Sequence, residues 1–256
     1  MPKKNKDLQG IDRLSTDKIL LGALTMTSKI HDHYPATHLD IGSGAGSLIK
    51  LFKSKLDISS SACDYTNTLM KETDVDVRIA NLNYEKLPFS DNSFDIVTCT
   101  EVVEHLEHHR ETIQEAFRVL KTNGSFIVTT PNILNLKSRI RFLFFGFYNL
   151  FGPLHFKESN LYSTGGHINP IGLFYLIHSL IDAGFHSIDV AIDKRQSTSI
   201  FYLVLLLLPI KFFSWLTIKK ETKKFKTIDQ HNLKYVLLLN SIDILIGRTI
   251  ILGCKK

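Results

Sequence analysis

A glycine-rich turn between a β-rich run and an amphipathic segment constrains the fold of this chain more than any other feature. The turn, Asp40-Ile-Gly-Ser-Gly-Ala-Gly46, follows residues 37–41 and precedes a helical pattern that carries Leu48, Leu51 and Phe52. Glycines at these spacings let the backbone turn tightly and approach a ligand closely. The segment therefore predicts a strand–turn–helix unit whose backbone binds a ligand.

The first 150 residues continue this alternation between short β-rich runs and helical patterns. Such alternation is typical of a parallel sheet with crossover helices. Further along, Asn169-Pro170 predicts the start of a helix and Gly184 its end. The predicted strands are residues 37–41, 59–64, 75–80, 94–100, 125–130, 186–192 and 249–253, and another predicted helix covers residues 108–120.

Length and composition indicate an ordinary folded protein. The 256 residues suffice for one large α/β domain or two small ones, and 44% hydrophobic with 22% charged residues excludes wholesale disorder. Cys63, Cys99 and Cys254 lie far apart without a Cys-x-x-Cys pair, which argues against a disulfide framework or a zinc knuckle. Acidic residues interrupt the N-terminal stretch where a signal peptide would be apolar, so we expect a cytoplasmic location.

Two acidic residues indicate which ligand the turn binds. A dinucleotide turn has a third glycine where Ser47 stands. The carboxylate of Asp40 would repel a pyrophosphate, whereas it would attract the ammonium group of a cofactor that carries an amino acid. Asp64 closes the second predicted strand, 20 positions after Gly44, where an acidic side chain can accept both ribose hydroxyls.

Four motifs in order resemble the class I S-adenosylmethionine-dependent methyltransferases, over most of residues 36–130. They are Asp40–Gly46, Asp64-Tyr65-Thr66, the segment 81–95 and the segment 100–106. The resemblance implies a doubly wound, Rossmann-like α/β sheet of seven strands, with helices on both faces and the last strand antiparallel. It implies S-adenosylmethionine as the cofactor, transfer of its methyl group as the reaction, and a cofactor site formed by Asp40, Gly42, Gly44, Gly46, Asp64, Tyr65, Asn81, Leu82, Thr100 and Glu101.

Asn81 departs from the family pattern, which usually has an aspartate there to accept a hydrogen bond from the adenine amino group. The carbonyl oxygen of an asparagine accepts that bond without charge assistance. We therefore expect a lower affinity for the adenine ring than in relatives that carry the aspartate.

The resemblance also covers the final helix and strand, so we expect one methyltransferase domain over residues 1–256 with three additions. Residues 1–35 are predicted to form an N-terminal helical segment. Residues 132–168 are predicted to form a cap loop on the substrate side, in which five phenylalanines between 142 and 151 either belong to the core or contact an apolar substrate. Residues 199–247 are predicted to be an apolar and basic insertion.

His167 and His105 are the candidate catalytic residues. Gly165-Gly-His-Ile-Asn169 resembles the segment in which many small-molecule methyltransferases place a histidine over the substrate; the alternative is a loop histidine that helps to cap the next helix. His105 lies in the family-like segment near the transferred methyl group, and the alternative there is a structural hydrogen bond. His105, His108 and His109 have no convincing fourth ligand, so we predict no metal site.

The insertion combines the most apolar run of the chain, residues 200–218, with a lysine-rich run over residues 219–226. Between residues 211 and 226 six lysines and one glutamate give a charge of +5. A bilayer span rarely carries a proline and a lysine near its centre, as Pro209 and Lys211 would be. We expect the segment to lie in the plane of an anionic membrane surface, with a span and a buried lobe or oligomer interface as alternatives.

The predicted function is O-methylation of a sugar, a lipid or a lipid-linked acceptor by an enzyme attached peripherally to the cytoplasmic face of a membrane. An amide-recognition motif of the Asn-Pro-Pro-Tyr type is absent from the sequence, which disfavours N-methylation of DNA or of protein amides. The alternatives are a non-catalytic binding module with the same fold, and an RNA-binding protein that uses residues 219–226. We expect no nucleic-acid partner because those lysines flank aliphatic residues rather than interleaved aromatic ones.

Overall fold

The computed structural model describes residues 16–154 and 166–256. Helix α1 (Asp17–Ile30) belongs to the predicted N-terminal helical segment, whose first fifteen residues lie outside the described part. Residues 155–165 of the predicted cap loop lie outside it as well.

Seven strands form one sheet in the order β3-β2-β1-β4-β5-β7-β6. Strands β1 to β5 pair in parallel, whereas β7 lies antiparallel between β5 and β6. The order reverses between β1 and β4, so the carboxyl ends of these two strands flank the crevice where open α/β sheets bind ligands. The bounds are β1 Ala36–Ile41, β2 Ile58–Asp64, β3 Val77–Ile79, β4 Phe94–Thr100, β5 Leu120–Pro131, β6 His186–Ile192 and β7 Thr249–Lys255.

Successive strand residues pack on opposite faces of this sheet, as the pleat requires. Val97 and Phe126 belong to the core on the side of α3 and α5, whereas Ile96 and Ile127 belong to the core on the side of α1 and α2. The predicted doubly wound sheet with helices on both faces is confirmed. The remaining helices are α2 Ser47–Lys55, α3 His109–Val119, α4 Leu136–Phe145, α5 Leu173–Asp182, α6 Ser197–Lys220, α7 Leu233–Leu238 and α8 Ile242–Ile246.

The predicted helix start at Asn169-Pro170 is wrong, because α5 begins at Leu173. The side chain of Asn169 is used elsewhere: its amide donates to the carbonyl oxygen of Leu106 at 3.0 Å and bonds to His109 Nδ1 at 2.8 Å. The predicted end is confirmed, since α5 stops two residues before Gly184, which has a φ of +107°.

The prediction of a loop over residues 132–168 is wrong in its first part, because α4 occupies Leu136–Phe145. The side chain of Asn135 caps this helix by accepting a hydrogen bond from the backbone N–H of Ser138 at 2.9 Å. The helix leaves the sheet directly after β5, so it lies near the edge formed by the carboxyl ends of the parallel strands.

The insertion is mainly helical, and α6 continues through Pro209. One side of α6 packs against Leu136 of α4 and against Leu245 and Ile246 of α8. By length and composition alone, the helical stretch from Ser197 to Phe225 could cross a membrane. Within α6, which is described throughout, Ser199 is the one fully buried residue. The helix therefore uses part of its surface for packing and exposes the rest.

Candidate active site

The glycine turn after β1 has the tight geometry that the sequence predicts. Gly42, Gly44 and Gly46 all have positive φ angles, between 49° and 78°. A Cβ atom on Gly42 would lie 2.2 Å from Cγ2 of Val102, and one on Gly46 would lie 2.6 Å from Sδ of Met70. Both the backbone conformation and the close packing therefore exclude a side chain at these positions.

Asp64 fixes this turn to the end of β2. Its Oδ2 accepts a hydrogen bond from the backbone N–H of Gly44, and its Oδ1 accepts one from the backbone N–H of Tyr65, both at 2.7 Å. Burial raises the pKa of this carboxyl, and the backbone hydrogen bonds oppose that rise. With a third backbone hydrogen bond, from Thr66, the carboxylate still has acceptor capacity left for a ribose hydroxyl.

Asp40 is a buried carboxyl beneath the turn. Its Oδ1 accepts a hydrogen bond from Oγ1 of Thr98 at 2.7 Å, and burial raises its pKa to about 7. The same hydroxyl lies 2.8 Å from Nε2 of His38, and since its single hydrogen points to Asp40, it must accept the Nε2–H. Burial lowers the pKa of His38 to about 3, so this imidazole is neutral and leaves Asp40 without a cationic partner among these contacts.

The other predicted cofactor residues lie along the same edge of the sheet. Asn81 follows β3, and its side-chain oxygen accepts a hydrogen bond from the backbone N–H of Asn83 at 3.2 Å, which leaves one lone pair for an adenine amino group. Leu82 packs against the core. Thr100 ends β4, and the next residue, Glu101, has a φ of +56° and a carboxyl whose pKa burial raises to about 7.

The two predicted catalytic histidines meet in the structure. A short 3₁₀ turn over Val103–His105 follows β4, and the carbonyl oxygen of Glu104 accepts hydrogen bonds from the backbone N–H groups of Ile168 and Asn169, both at 3.0 Å. These bonds fix the 166–169 segment over the turn. The rings of His105 and His167 then lie 4.7 Å apart, nearly perpendicular to each other.

Both imidazoles are held neutral. Burial lowers the pKa of His167 to about 4, with a further contribution from the neighbouring His105. Burial also lowers the pKa of His105, against a hydrogen bond from its ring to the carbonyl oxygen of Gly166. The other two histidines of the sequence cluster lie elsewhere, since His108 contacts Glu111 and His109 contacts Asn169.

Sequence reasoning missed Glu104. This residue is 0% exposed, and one of its carboxylate oxygens lies with one ring nitrogen each of His105 and His167 in a cluster whose three atoms are within 4.8 Å of one another. Burial raises the pKa of Glu104 well above its usual range, and the neighbouring charge of Glu101 adds to this rise. The signal available in the sequence was an acidic residue beside a histidine just after a buried strand.

Comparison with known proteins agrees with this geometry. Residues 39–128 match the family described as "Methyltransferase domain". The chain is 28% identical over 174 residues to the uncharacterized methyltransferase YcgJ of Bacillus subtilis, covering 62% of this chain and 64% of the relative. It is 30% identical over 132 residues to the ubiquinone/menaquinone biosynthesis C-methyltransferase UbiE of Rickettsia prowazekii, covering 46% and 50%. The chain thus spans less than two thirds of the length of these curated relatives.

Solved structures share the fold at low sequence identity. An S-adenosylmethionine-dependent methyltransferase from Archaeoglobus fulgidus aligns with a TM-score of 0.53 at 18% identity, covering 93% of this chain and 94% of the other. The [4+2]-cyclase SpnF aligns with a TM-score of 0.53 at 16% identity, covering 93% and 81%. Because the second protein is named for a different reaction, the reaction must be argued from the site rather than from the fold.

Proposed function

Residues 39–128 form a class I S-adenosylmethionine-dependent methyltransferase domain, and from that premise we propose that the chain methylates an oxygen of a sugar, lipid or lipid-linked acceptor at the cytoplasmic face of a membrane. The cofactor is S-adenosylmethionine, which supplies a methyl group on a positively charged sulfonium. The acceptor class and the membrane location rest on the surface described below.

The residues at the turn fit this cofactor. The glycines turn the chain tightly at the end of β1 and place its backbone at this edge of the sheet, where a nucleoside can approach it. Asp64 offers lone pairs to ribose hydroxyls, and Asp40 is a buried carboxyl without a cationic partner among its contacts, which suits an amino-acid ammonium group. His105 and His167 lie across the same edge, so we place the acceptor hydroxyl beside them.

One observation carries the membrane part of the proposal: α4 and α6 pack together and expose large apolar side chains on their outer sides. Phe144 of α4 is 82% exposed, and Val204 and Trp215 of α6 are 81% and 57% exposed. Soluble surfaces rarely expose so many large apolar groups together, and such patches mark contacts with membranes or partners. The set comprises Phe142, Leu143, Phe144, Phe145, Phe201, Val204, Leu205, Leu208, Phe212, Phe213 and Trp215, which we call the α4–α6 apolar surface.

The charge at the end of α6 favours a membrane as the occupant of this surface. Six lysines and one glutamate lie between residues 211 and 226, and the ammonium group of Lys219 lies 5.2 Å from the ring centroid of Trp215. Basic residues next to exposed aromatics are typical of segments that lie on anionic lipid, where each lysine contributes about 1 kcal/mol.

An in-plane position suits α6 better than a span. The ammonium group of Lys211 donates a hydrogen bond to the carbonyl oxygen of Asn240 at 3.0 Å, which ties the middle of the helix to the folded body. The side that carries Leu203 and Leu206 packs against α4 and α8. A span would remove these contacts, whereas an in-plane helix keeps them and places the α4–α6 apolar surface in lipid.

The acceptor atom is inferred from the site, because the relatives do not agree on it. One is named a C-methyltransferase of ubiquinone/menaquinone biosynthesis, and another, from Rickettsia felis, a ubiquinone biosynthesis O-methyltransferase with 30% identity over 113 residues, covering 42% of this chain and 46% of the relative. Oxygen methylation needs a group that handles the hydroxyl proton, and the pair of neutral imidazoles is suited to that task.

We expect the purified chain to bind S-adenosylhomocysteine, and Asp64→Ala to weaken this binding by about 1.5–3 kcal/mol. The variant loses charge-assisted hydrogen bonds to ribose and the anchor of the Gly44 N–H. Isothermal calorimetry measures both affinities, and Asp74→Ala, which removes an exposed carboxylate bonded to Lys53, is the matched control. Absence of heat with folded wild-type protein would contradict the assigned cofactor.

We expect the wild-type chain to sediment with anionic vesicles and the double variant Phe212→Ser, Trp215→Ser to bind them on the order of 100-fold more weakly. Each substitution removes an exposed aromatic ring whose burial in lipid contributes about 1.5 kcal/mol or more. Tyr84→Ser, which removes an exposed ring outside the α4–α6 apolar surface, is the control. Equal binding of both variants would contradict the membrane assignment, and an RNA gel shift by the wild type would favour the RNA-binding alternative.

A further inference from the structure

Three groups with free electron pairs converge at the carboxyl end of β4. One atom each from Glu104, His105 and His167 lies within 4.8 Å of the other two. Among the residues that the structure describes, neither carboxylate oxygen of Glu104 nor Nδ1 of His167 has a hydrogen-bond partner. Thr130 lies near Glu104, but its hydroxyl also lacks a partner with hydrogen-bonding geometry. Buried polar atoms without partners are rare and costly, so this cluster requires an explanation.

The backbone determines which nitrogen of the His105 ring carries the proton. Nδ1 of His105 lies 3.1 Å from the carbonyl oxygen of Gly166, and since a carbonyl only accepts, Nδ1 carries the hydrogen and Nε2 keeps its lone pair. The ring of His167 interacts with the backbone of Leu150, and its Nδ1 has no hydrogen-bond partner among the described residues. Nε2 of His105 therefore has a lone pair and no hydrogen to offer Glu104.

We propose that Glu104, His105 and His167 bind a divalent transition-metal ion of the Mn²⁺, Co²⁺ or Zn²⁺ class. Two imidazole nitrogens and one carboxylate form a donor set that such ions prefer, and three protein ligands leave coordination positions open. The backbone carbonyl of Gly166 holds the outer ring nitrogen of His105, an arrangement that is common where histidines bind metals. Metal–ligand bonds of about 2.1 Å place neighbouring ligand atoms roughly 3 to 3.5 Å apart, so the three side chains would close on the ion from separations of up to 4.8 Å.

The electrostatics of the neighbourhood agree with a cation at this place. The carboxyl of Glu101 accepts a hydrogen bond from Oγ1 of Thr129 at 3.0 Å and lies close enough to Glu104 to disfavour its ionisation. Two buried carboxyls side by side are costly as anions, and a divalent ion between one of them and two neutral imidazoles would remove that cost. The site differs from the group weighed from the sequence, because His108 and His109 take no part in it.

The use of the ion, unlike its binding, rests on the proposed function. An acceptor hydroxyl that binds at an open coordination position would lose its proton to water more readily, because the cation lowers the pKa of a bound oxygen. The acceptor oxygen would then form a bond to the methyl carbon while the bond between that carbon and sulfur breaks. The electron pair of the broken bond would remain on sulfur. In this arrangement His167 holds the ion and does not take the proton.

The test is metal binding by the full chain after treatment with EDTA and removal of the chelator. We expect the wild type to bind one Mn²⁺ per chain, measured from the loss of the free Mn²⁺ signal in electron paramagnetic resonance, and one Zn²⁺ in equilibrium dialysis. Glu104→Gln keeps the shape of the side chain and should weaken binding on the order of 100-fold, as should His167→Ala. His178→Ala, which removes an exposed histidine of α5, should bind like the wild type.

Circular dichroism and the affinity for S-adenosylhomocysteine show whether each variant is folded. Sub-stoichiometric binding by the wild type, or unchanged binding by folded Glu104→Gln, would overturn the proposed site. If the metal binds as expected but no oxygen acceptor is methylated, the site stands and the proposed function fails. If an acceptor is methylated at full rate by metal-free protein, the function stands and the catalytic use of the ion fails.

Discussion

Asp40→Asn is expected to stabilise the cofactor-free protein above pH 7 and to weaken its binding of S-adenosylhomocysteine. Burial raises the pKa of Asp40 from 3.8 to about 7, so the folded state holds a proton there that the unfolded chain has already lost. The free energy of unfolding of the wild type therefore falls as pH rises from 3.8 to 7, by about 4 kcal/mol for this group. The amide of Asp40→Asn does not ionise, so the free energy of unfolding of the variant does not decrease with pH in this way.

Urea denaturation of the wild type and Asp40→Asn between pH 4 and pH 8 measures this effect. The amide oxygen can still accept the hydrogen bond from Thr98, while its new N–H₂ group costs about 1–3 kcal/mol where it finds no acceptor. From pH 4 to pH 8, the free energy of unfolding of Asp40→Asn should rise by about 4 kcal/mol relative to that of the wild type. Parallel pH curves would contradict the prediction. Asp57→Asn, at an exposed position before β2, is the matched control.

The sheet could be predicted from the sequence because its signals are local. The glycine turn, the buried runs and the stop at Gly184 each depend on residues that are neighbours along the chain. The doubly wound arrangement and the antiparallel last strand came from the family resemblance, and the structure confirms both. The helix start at Asn169-Pro170 failed because the side chain of Asn169 bonds to Leu106 and His109, which are 63 and 60 residues away. A capping signal does not reveal such a competing partner.

The insertion shows a similar limit. The sequence shows Pro209 and Lys211 inside an apolar run, but it does not show that α6 continues through Pro209 or that Lys211 donates a hydrogen bond to the carbonyl oxygen of Asn240. The sequence shows that α6 is apolar, but it does not show which of its sides packs against the rest of the protein. The packed side is determined by the positions of α4 and α8, and the apolar side chains that stay exposed on α6 are the ones that suggest a membrane.

Some residues of the candidate site could be predicted from the sequence, and others could not. Gly42, Gly44, Gly46 and Asp64 could be predicted because strand ends at one edge of a parallel sheet meet. That His105 and His167 touch depends on a segment held over the 3₁₀ turn by two hydrogen bonds to the carbonyl of Glu104. Glu104 itself is completely buried. A glutamate after a strand is usually exposed, so its sequence pattern gave no reason to expect a buried acid there.

His167→Ala is expected to lower turnover by roughly 10²–10⁴-fold with an oxygen acceptor while leaving the affinity for S-adenosylhomocysteine nearly unchanged. The ring of His167 lies against the rings of His105 and Phe151, on the side where we place the acceptor. Loss of the imidazole should therefore affect the handling of the acceptor proton more than cofactor binding. Turnover of His178→Ala should equal that of the wild type.

Chelation distinguishes the two roles that His167 could have. As a metal ligand it works only with the ion present, so EDTA should lower wild-type turnover to the level of His167→Ala and added Mn²⁺ or Zn²⁺ should restore it. As a general base it works alone, so EDTA should leave the wild type unchanged and His167→Ala slow in either condition. Glu104→Gln completes the comparison, because its carboxamide weakens a metal site but leaves a histidine base in place. If Glu104→Gln turns over as slowly as EDTA-treated wild type, His167 acts as a metal ligand. If His167→Ala turns over at a near-normal rate, both roles are excluded, and alignment of the acceptor is left as the source of catalysis.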